Sequence, residues 1–242
     1  MSKYSIALDG PARSKLRQDN ISIALDGPAG AGKSTLAKRA AKHFGLIYVD
    51  TGAMYRCIGL YTLRAKVGSK DEKAITGLLP EIKLDIKYDE SGAQRMILCG
   101  EDVTEEIRLP QISAYASDVS AFPSVRTFLL TMQRDMAKRY DVIMDGRDIG
   151  TVVLPNAGLK IFITADDKAR AKRRFDELTH KGVDTTLEEV YYEMCQRDKN
   201  DSERAVAPLK KADDAVLFDT TSLNLEQSFD ALCKLISERF LL

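Results

Sequence analysis

Gly27-Pro-Ala-Gly-Ala-Gly32-Lys33-Ser34 has the spacing G-x-x-x-x-G-K-[ST]. Glycines at these positions let successive backbone N–H groups face inward onto phosphate oxygens, and a helix starting here adds the positive end of its dipole. A lysine in this place reaches the β- and γ-phosphates of a nucleoside triphosphate, and the following serine ligates Mg²⁺. Gly27, Pro28, Ala29, Gly30, Ala31, Gly32, Lys33, Ser34 and Thr35 are therefore the candidate ATP-binding segment. The short apolar run Val142-Ile-Met ends in Asp145, a carboxylate where such chemistry needs one to meet the metal or its waters. Ser34 and Asp145 are the candidate metal-binding residues.

Arginines stand where a second phosphorylated molecule could be clamped. Arg56, Arg126, Arg147, Arg197 and Arg204 fall at the ends of predicted elements or beside motifs, and Arg170, Arg173 and Arg174 open a charged helix. Phosphoryl transfer needs in-line positioning and cations around the equatorial oxygens, and the planar fork of arginine suits phosphate. Lys33, Asp145, Arg147, Arg197 and Arg204 are the candidate catalytic set. A GTPase would need an N/T-K-x-D element, but the nearest run is Lys210-Lys-Ala-Asp213. A DxxG switch is missing too, because Asp148 stands three residues after Asp145. A nucleotide-binding regulator without catalysis has no second phosphate to hold, so the arginines argue against it.

The bulk properties narrow the classes further. The chain has 242 residues, 44% of them hydrophobic, enough for one sizeable core. With 36 basic and 36 acidic side chains it lacks the basic excess of a nucleic-acid binder. The cysteines at 57, 99, 195 and 233 and the two histidines have no zinc-ligand spacing, and scattered thiols fit a reducing compartment. No apolar run nears the ~20 residues of a membrane span, and Asp9 interrupts the only N-terminal apolar stretch. A cytoplasmic protein, without membrane or nucleic-acid partners, is expected.

The elements that must position these residues alternate. Strands are predicted at 21–26, 46–49, 142–144, 159–164 and 215–219. Helices are predicted at 33–44 (closed by Gly45), 51–67, 122–140, 166–180, 185–198 and 224–240. Leu84–Tyr88 and Arg95–Leu98 alternate around Ser91-Gly92, a hairpin signal. Strands alternating with helices mean an α/β fold, a parallel sheet wrapped by helices. Ser5–Ala12 repeats Ser22–Ala29 letter for letter, but no Gly-Lys-Ser follows the first copy. Residues 1–20 are thus expected to be a non-functional, loosely ordered extension, with 21–242 as one domain. Two identical strand-forming segments also compete for one sheet position.

Asp50-Thr-Gly-Ala-Met-Tyr-Arg56, Phe122-Pro-Ser-Val-Arg126, Asp145-Gly-Arg-Asp-Ile-Gly-Thr-Val-Val153 and Arg197 through Arg204-Ala-Val-Ala-Pro-Leu209 together resemble bacterial cytidylate kinases, over about residues 21–242. The resemblance implies a P-loop NTPase-type fold with a small β-containing monophosphate-binding insertion at about 71–117 and a helical lid at about 167–184. It implies a monomeric enzyme that uses ATP and Mg²⁺ to phosphorylate CMP or dCMP. Ser117, Arg126 and Asp148 would read the cytosine, and Arg197 and Asp201 would contact the ribose. Arg56, Arg147, Arg197 and Arg204 would hold the CMP phosphate, with Thr51 and Tyr55 also at the substrate. Thr51 stands where serine is more usual. Arg170, Arg173 and Arg174 would lie in or near the lid over ATP. A carboxylate such as Asp148 accepts from the exocyclic amine of cytosine and is left unpaired by uracil.

Overall fold

The computed structural model describes residues 6–7 and 20–242. In chain order its elements are β1 (Ile6–Ala7), β2 (Ser22–Asp26), α1 (Lys33–Phe44), β3 (Ile47–Asp50), α2 (Thr51–Arg64), α3 (Glu72–Leu78), β4 (Leu84–Tyr88), β5 (Gln94–Leu98), β6 (Glu101–Asp102), α4 (Pro110–Val119), α5 (Pro123–Arg139), β7 (Val142–Gly146), β8 (Leu159–Thr164), α6 (Asp167–His180), α7 (Leu187–Glu203), β9 (Val216–Asp219) and α8 (Leu225–Phe240). They fall into two compact units: β1 with residues 45–142 in one, and residues 21–44 with 143–242 in the other.

The second unit carries β7, β2, β8 and β9 as neighbours in that order. β2 runs parallel to β8, with Ile23 opposite Leu159 and Asp26 opposite Phe162, and β8 runs parallel to β9, with Ile161 opposite Val216. Ile23, Ala24 and Leu25 are buried in succession, as are Val142, Ile143 and Met144. Such continuous apolar runs suit parallel strands covered on both faces. Helices supply the cover. On α1, Leu36, Ala37, Ala40 and Ala41 are buried, and Gly45 follows the helix at φ +65°, the left-handed cap that its position predicts. α8 opens on a capping box between Asn224 and Gln227. It meets α1 through Arg39, which grips Glu226 with both terminal nitrogens (2.7 and 2.6 Å) and stacks 4.2 Å from the Phe229 ring centre.

In the first unit, α2 is capped by Asp50, whose carboxylate accepts from the Ala53 N–H at 2.9 Å. β4 and β5 form the expected antiparallel hairpin, Leu84 opposite Leu98, and Asp89 closes its turn by accepting from the N–H groups of Ser91 and Ala93. Ile86, Met96 and Leu98 are buried, as are Ile75, Ile107 and Ile112 of the same unit. Ile6 and Ala7 pair in parallel with Ile86 and Lys87. The expectation of loose order for residues 1–20 otherwise concerns residues outside the described ones.

Three features depart from the predicted elements. α3, α4 and β6 were not among the predicted elements: α3 is only seven residues long and contains Gly77, while α4, which starts on Pro110, does carry helical spacing in its buried Ile112, Ala116 and Val119, but over only ten residues. The helix expected at 185–198 runs on to Glu203, because nothing in Lys199-Asn-Asp-Ser-Glu203 breaks it. After Asp148, Ile149–Val153 make a π-helical turn, a form often found at functional sites.

Gly27 is the tightest point of the second unit. Its φ is +146°, and a Cβ there would stand 2.0 Å from the Ile163 carbonyl oxygen. Gly27→Ala is expected to lower unfolding free energy by about 3 kcal/mol or more, against about 1 kcal/mol for Gly45→Ala, which has open space around it. Equal midpoint shifts for the two variants in urea titrations would refute the assignment.

Candidate active site

In the second unit, β2 and β7 lead at their C-terminal ends into the predicted site residues, the place where ligands bind in open α/β sheets. After β2 the phosphate loop curls into α1. The Lys33 ammonium, buried, donates to the Pro28 carbonyl at 2.7 Å. Ser34 Oγ donates to Asp145 Oδ2 at 2.5 Å, so the serine after the loop and the carboxylate after β7 meet. A hydroxyl and a carboxylate are hard oxygen donors, and Mg²⁺ commonly takes only one or two protein ligands beside phosphate and water. The pair fits that ion. Thr35, next along, is exposed.

Beyond Asp145, Arg147 Nε donates to Asp201 Oδ2 at 2.8 Å. Arg204 Nη2 lies 3.4 Å from Asp148 Oδ1, and its Nε donates to the Ala207 carbonyl at 2.5 Å. The extension of α7 to Glu203 makes these contacts possible: Arg197 and Asp201 share one helix, and Arg204 caps it. Burial works against the Asp201 carboxylate, but Arg147, Arg197 and Arg204 together hold it below the usual range. Lys33 is pushed down to about 7, first by burial and then by Arg147 and Arg197, against the pull of Asp145 and Asp26.

Asp26 escaped the sequence reading as a site residue. Its two carboxylate oxygens accept from the Ile149 and Gly150 N–H groups, both at 2.7 Å, and so fix the turn that follows Arg147 and Asp148. Burial raises it to about 6, against those two hydrogen bonds and with Asp148 adding to the rise. It ends an apolar strand before glycine, as Asp145 does, and that shared pattern could have found it.

Of the three arginines expected over ATP, Arg170 is buried. Arg173 donates to Thr220 Oγ1 (3.1 Å) and the Thr220 carbonyl (2.7 Å), and Arg174 pairs with Glu177 at 2.8 Å.

The first unit holds the remaining predicted residues. Arg126 is buried, donates to the Ser120 carbonyl at 3.1 Å and lies 5.6 Å from the Tyr55 ring centre. Ser120 Oγ in turn donates to the Ser117 carbonyl at 2.8 Å. Thr51 is buried in the first turn of α2. Beside it, Asp50 accepts from Arg108 Nη2 at 2.9 Å. Although burial opposes ionisation, Arg108 and Arg56 keep the Asp50 carboxylate below its usual range. Arg108 was not foreseen, since nothing in the sequence links it to a residue 58 positions away.

The profile of the cytidylate kinase family matches residues 23–238. The chain belongs to that family. It is 51% identical over 235 residues to a cytidylate kinase of Caldicellulosiruptor bescii (97% of this chain, 96% of the relative). It is 48% identical to those of Thermosipho melanesiensis (97% and 97%) and a Geobacillus species (92% and 99%). Membership makes the chain an enzyme, a nucleoside monophosphate kinase, and the residues the resemblance singled out lie within the matched region. Among the described residues no helix is long and apolar enough to cross a membrane, and none of them form a cluster of three or more His, Cys, Asp or Glu able to hold a metal.

A lysine held near 7 by burial and like charge regains its proton when a polyanion arrives beside it. Nucleotide binding at about pH 8.5, where the phosphates are already ionised, is therefore expected to take up close to one proton per site. Calorimetry in two buffers of different ionisation enthalpy reads this directly; identical enthalpies in both would contradict the charge arrangement around Lys33.

Proposed function

We propose that this enzyme transfers the γ-phosphate of ATP to CMP or dCMP. The observation that carries the reading is the charge arrangement in the second unit. The Lys33 ammonium feels both Arg147 and Arg197, and Arg147 and Arg204 are held by Asp201 and Asp148. That concentration of cations exceeds what one triphosphate in a glycine loop requires, and it suits a second phosphate.

In this reading the phosphate loop from Gly27 to Thr35 binds ATP, and Lys33 sits against its β- and γ-phosphates. Ser34 and Asp145 hold Mg²⁺, which supplies charge neutralisation between the phosphates when bound. An oxygen of the CMP phosphate forms the new bond to the γ-phosphorus as the bond to the ADP oxygen breaks, and ADP leaves as an anion. The acceptor is already an anion, so no side-chain base is required. Arg147, Arg197 and Arg204 orient and neutralise the transferred group. Arg56 contributes to the acceptor phosphate, and Thr51 and Tyr55 belong with the substrate residues. Arg197 and Asp201 serve the ribose, and Ser117, Arg126 and Asp148 the cytosine. The segment 71–117 acts as the monophosphate-binding insertion and 167–184 as the lid, with Arg173 and Arg174 toward ATP. The enzyme works as a cytoplasmic monomer with nucleotides as its partners.

Asp148 is the residue on which base choice turns. A buried carboxylate accepts from the cytosine amine, and the uracil carbonyl would leave it unpaired. In a coupled ADP-release assay with ATP and Mg²⁺, CMP and dCMP are expected to exceed UMP and AMP in kcat/KM by about a hundredfold or more. Asp148→Ala should shrink that ratio by at least about tenfold. A chain that releases ADP no faster with any monophosphate would sink the kinase reading; an unchanged ratio in the variant would sink the role of Asp148 alone.

A further inference from the structure

Two side chains outside the phosphate loop grip a single residue within it. Asp198, on α7, accepts from the Ala29 N–H through Oδ1 at 3.0 Å. Arg170, on α6, donates from Nη1 to the Ala29 carbonyl at 2.7 Å and to Asp198 Oδ2 at 2.5 Å. Both main-chain hydrogen-bonding groups of Ala29 are thereby held by a partly buried ion pair from two different helices. Arg170 has little left for a ligand. Its Nε donates to the Ala165 carbonyl (3.1 Å) and Nη2 to Asp167 Oδ1 (2.6 Å), and its side chain is 5% exposed. Apolar packing supports the grip. Ala171 and Met194 of the two helices belong to a buried cluster against which Ala29 rests, and the Met194 methyl lies 2.6 Å from where a Cβ on Gly30 would stand.

We propose that Arg170 and Asp198 are positioning residues that set the Ala29–Gly30 backbone in its phosphate-receiving shape and lock α7 in register with it. The inference rests on the phosphate loop being the donor site, as in the function proposed above. Arg170 then acts on ATP through the loop rather than by touching it. Asp198 follows Arg197 directly and precedes Asp201, the partner of Arg147, by three residues, so seating Asp198 on the loop also places the arginine-holding face of the helix. Misplacement of such a face by about an ångström can cost about a hundredfold in rate.

The test uses the full chain with Arg170→Lys, Asp198→Asn, Asp198→Glu and the Arg170→Lys/Asp198→Asn double variant, titrated with Mg²⁺-ADP by calorimetry and assayed for donor and acceptor KM. Lysine keeps the charge of Arg170 but cannot serve Ala29, Asp198 and Asp167 together. Glutamate keeps the ion pair but draws the carboxylate away from the Ala29 N–H. ADP affinity is expected to fall by about tenfold or more in each single variant and by no further large factor in the double, because the two residues act as one unit. Donor KM should rise in parallel, and kcat should fall with it, because the arginine-holding face of α7 is seated by Asp198. The proposal is overturned if Asp198→Glu binds ADP like the wild type, if the losses in the double variant simply add, or if acceptor KM rises while donor KM stays unchanged. Should Asp198→Asn fail to melt cooperatively, Asp198→Glu and Arg170→Lys decide alone. ADP binding needs no acceptor, so a wild type that binds ADP but ignores CMP would refute the proposed reaction and leave this inference to be judged on affinities.

Discussion

Carboxylates hold the cations of this enzyme in place before any phosphate arrives. In the second unit, burial first, and then the charges of Arg147 and Arg197, depress Lys33, and buried like charges cannot stay together without compensation. Asp201 supplies it from one side, between Arg147, Arg197 and Arg204. Asp145 and Asp26 supply it from the other. The result is a set of donors fixed by the fold, and donors fixed in advance cost no reorganisation when charge develops beside them. The same carboxylates make this cluster of cations tolerable to the fold.

A rule of placement underlies this. Strand after strand ends in aspartate: Asp26 closes β2, Asp50 closes β3, and Asp219 closes β9, while Asp145 stands one residue before the end of β7. The C-terminal end of a strand here runs into a turn or the start of a helix, where N–H groups lack partners. The aspartates take up such donors, on their own turn or on a distant segment, in different ways. Asp26 takes two N–H groups of the π-helical turn, and Asp50 takes the Ala53 N–H and the Arg108 guanidinium. Asp145 takes the Ser34 hydroxyl, and Asp219 takes the N–H and hydroxyl of Thr221. One position in the strand thus yields a turn anchor, a helix cap, a partner for the Ser34 hydroxyl and a loop clasp.

This explains what could and could not be read from the chain. The phosphate loop, Asp145 and the strands around them were legible because their signals are local: a run of apolar residues, a glycine pattern, an aspartate at the end. The alternation of strands and helices gave the parallel sheet of the second unit for the same reason. Asp26 carries the same signal as Asp145, but its partners, the Ile149 and Gly150 N–H groups, lie 123 and 124 residues on, and the glycine loop that follows it accounts for the turn without a carboxylate. Asp198 and Arg108 had no local signal. Their partners, Ala29 and Asp50, lie 169 and 58 residues away, and only the folded backbone brings them together. Short elements such as α3 escaped because seven residues are too few to show a period.

The division of the chain has a consequence for the order in which the molecule can be made. Residues 21–44 belong with 143–242, while 45–142 lie between them in sequence. During synthesis β2 and the phosphate loop leave the ribosome early, yet the strand that β2 pairs with, β8, begins only at Leu159. Until then Ile23 and Leu25 have no parallel neighbour in that direction, whereas the intervening unit already has its own hairpin and core. Long-range parallel pairing is slow and leaves strand edges exposed in the meantime. The nascent chain therefore carries its most function-laden segment unpaired for more than half its length, in company with an identical eight-residue stretch that can compete for the same place.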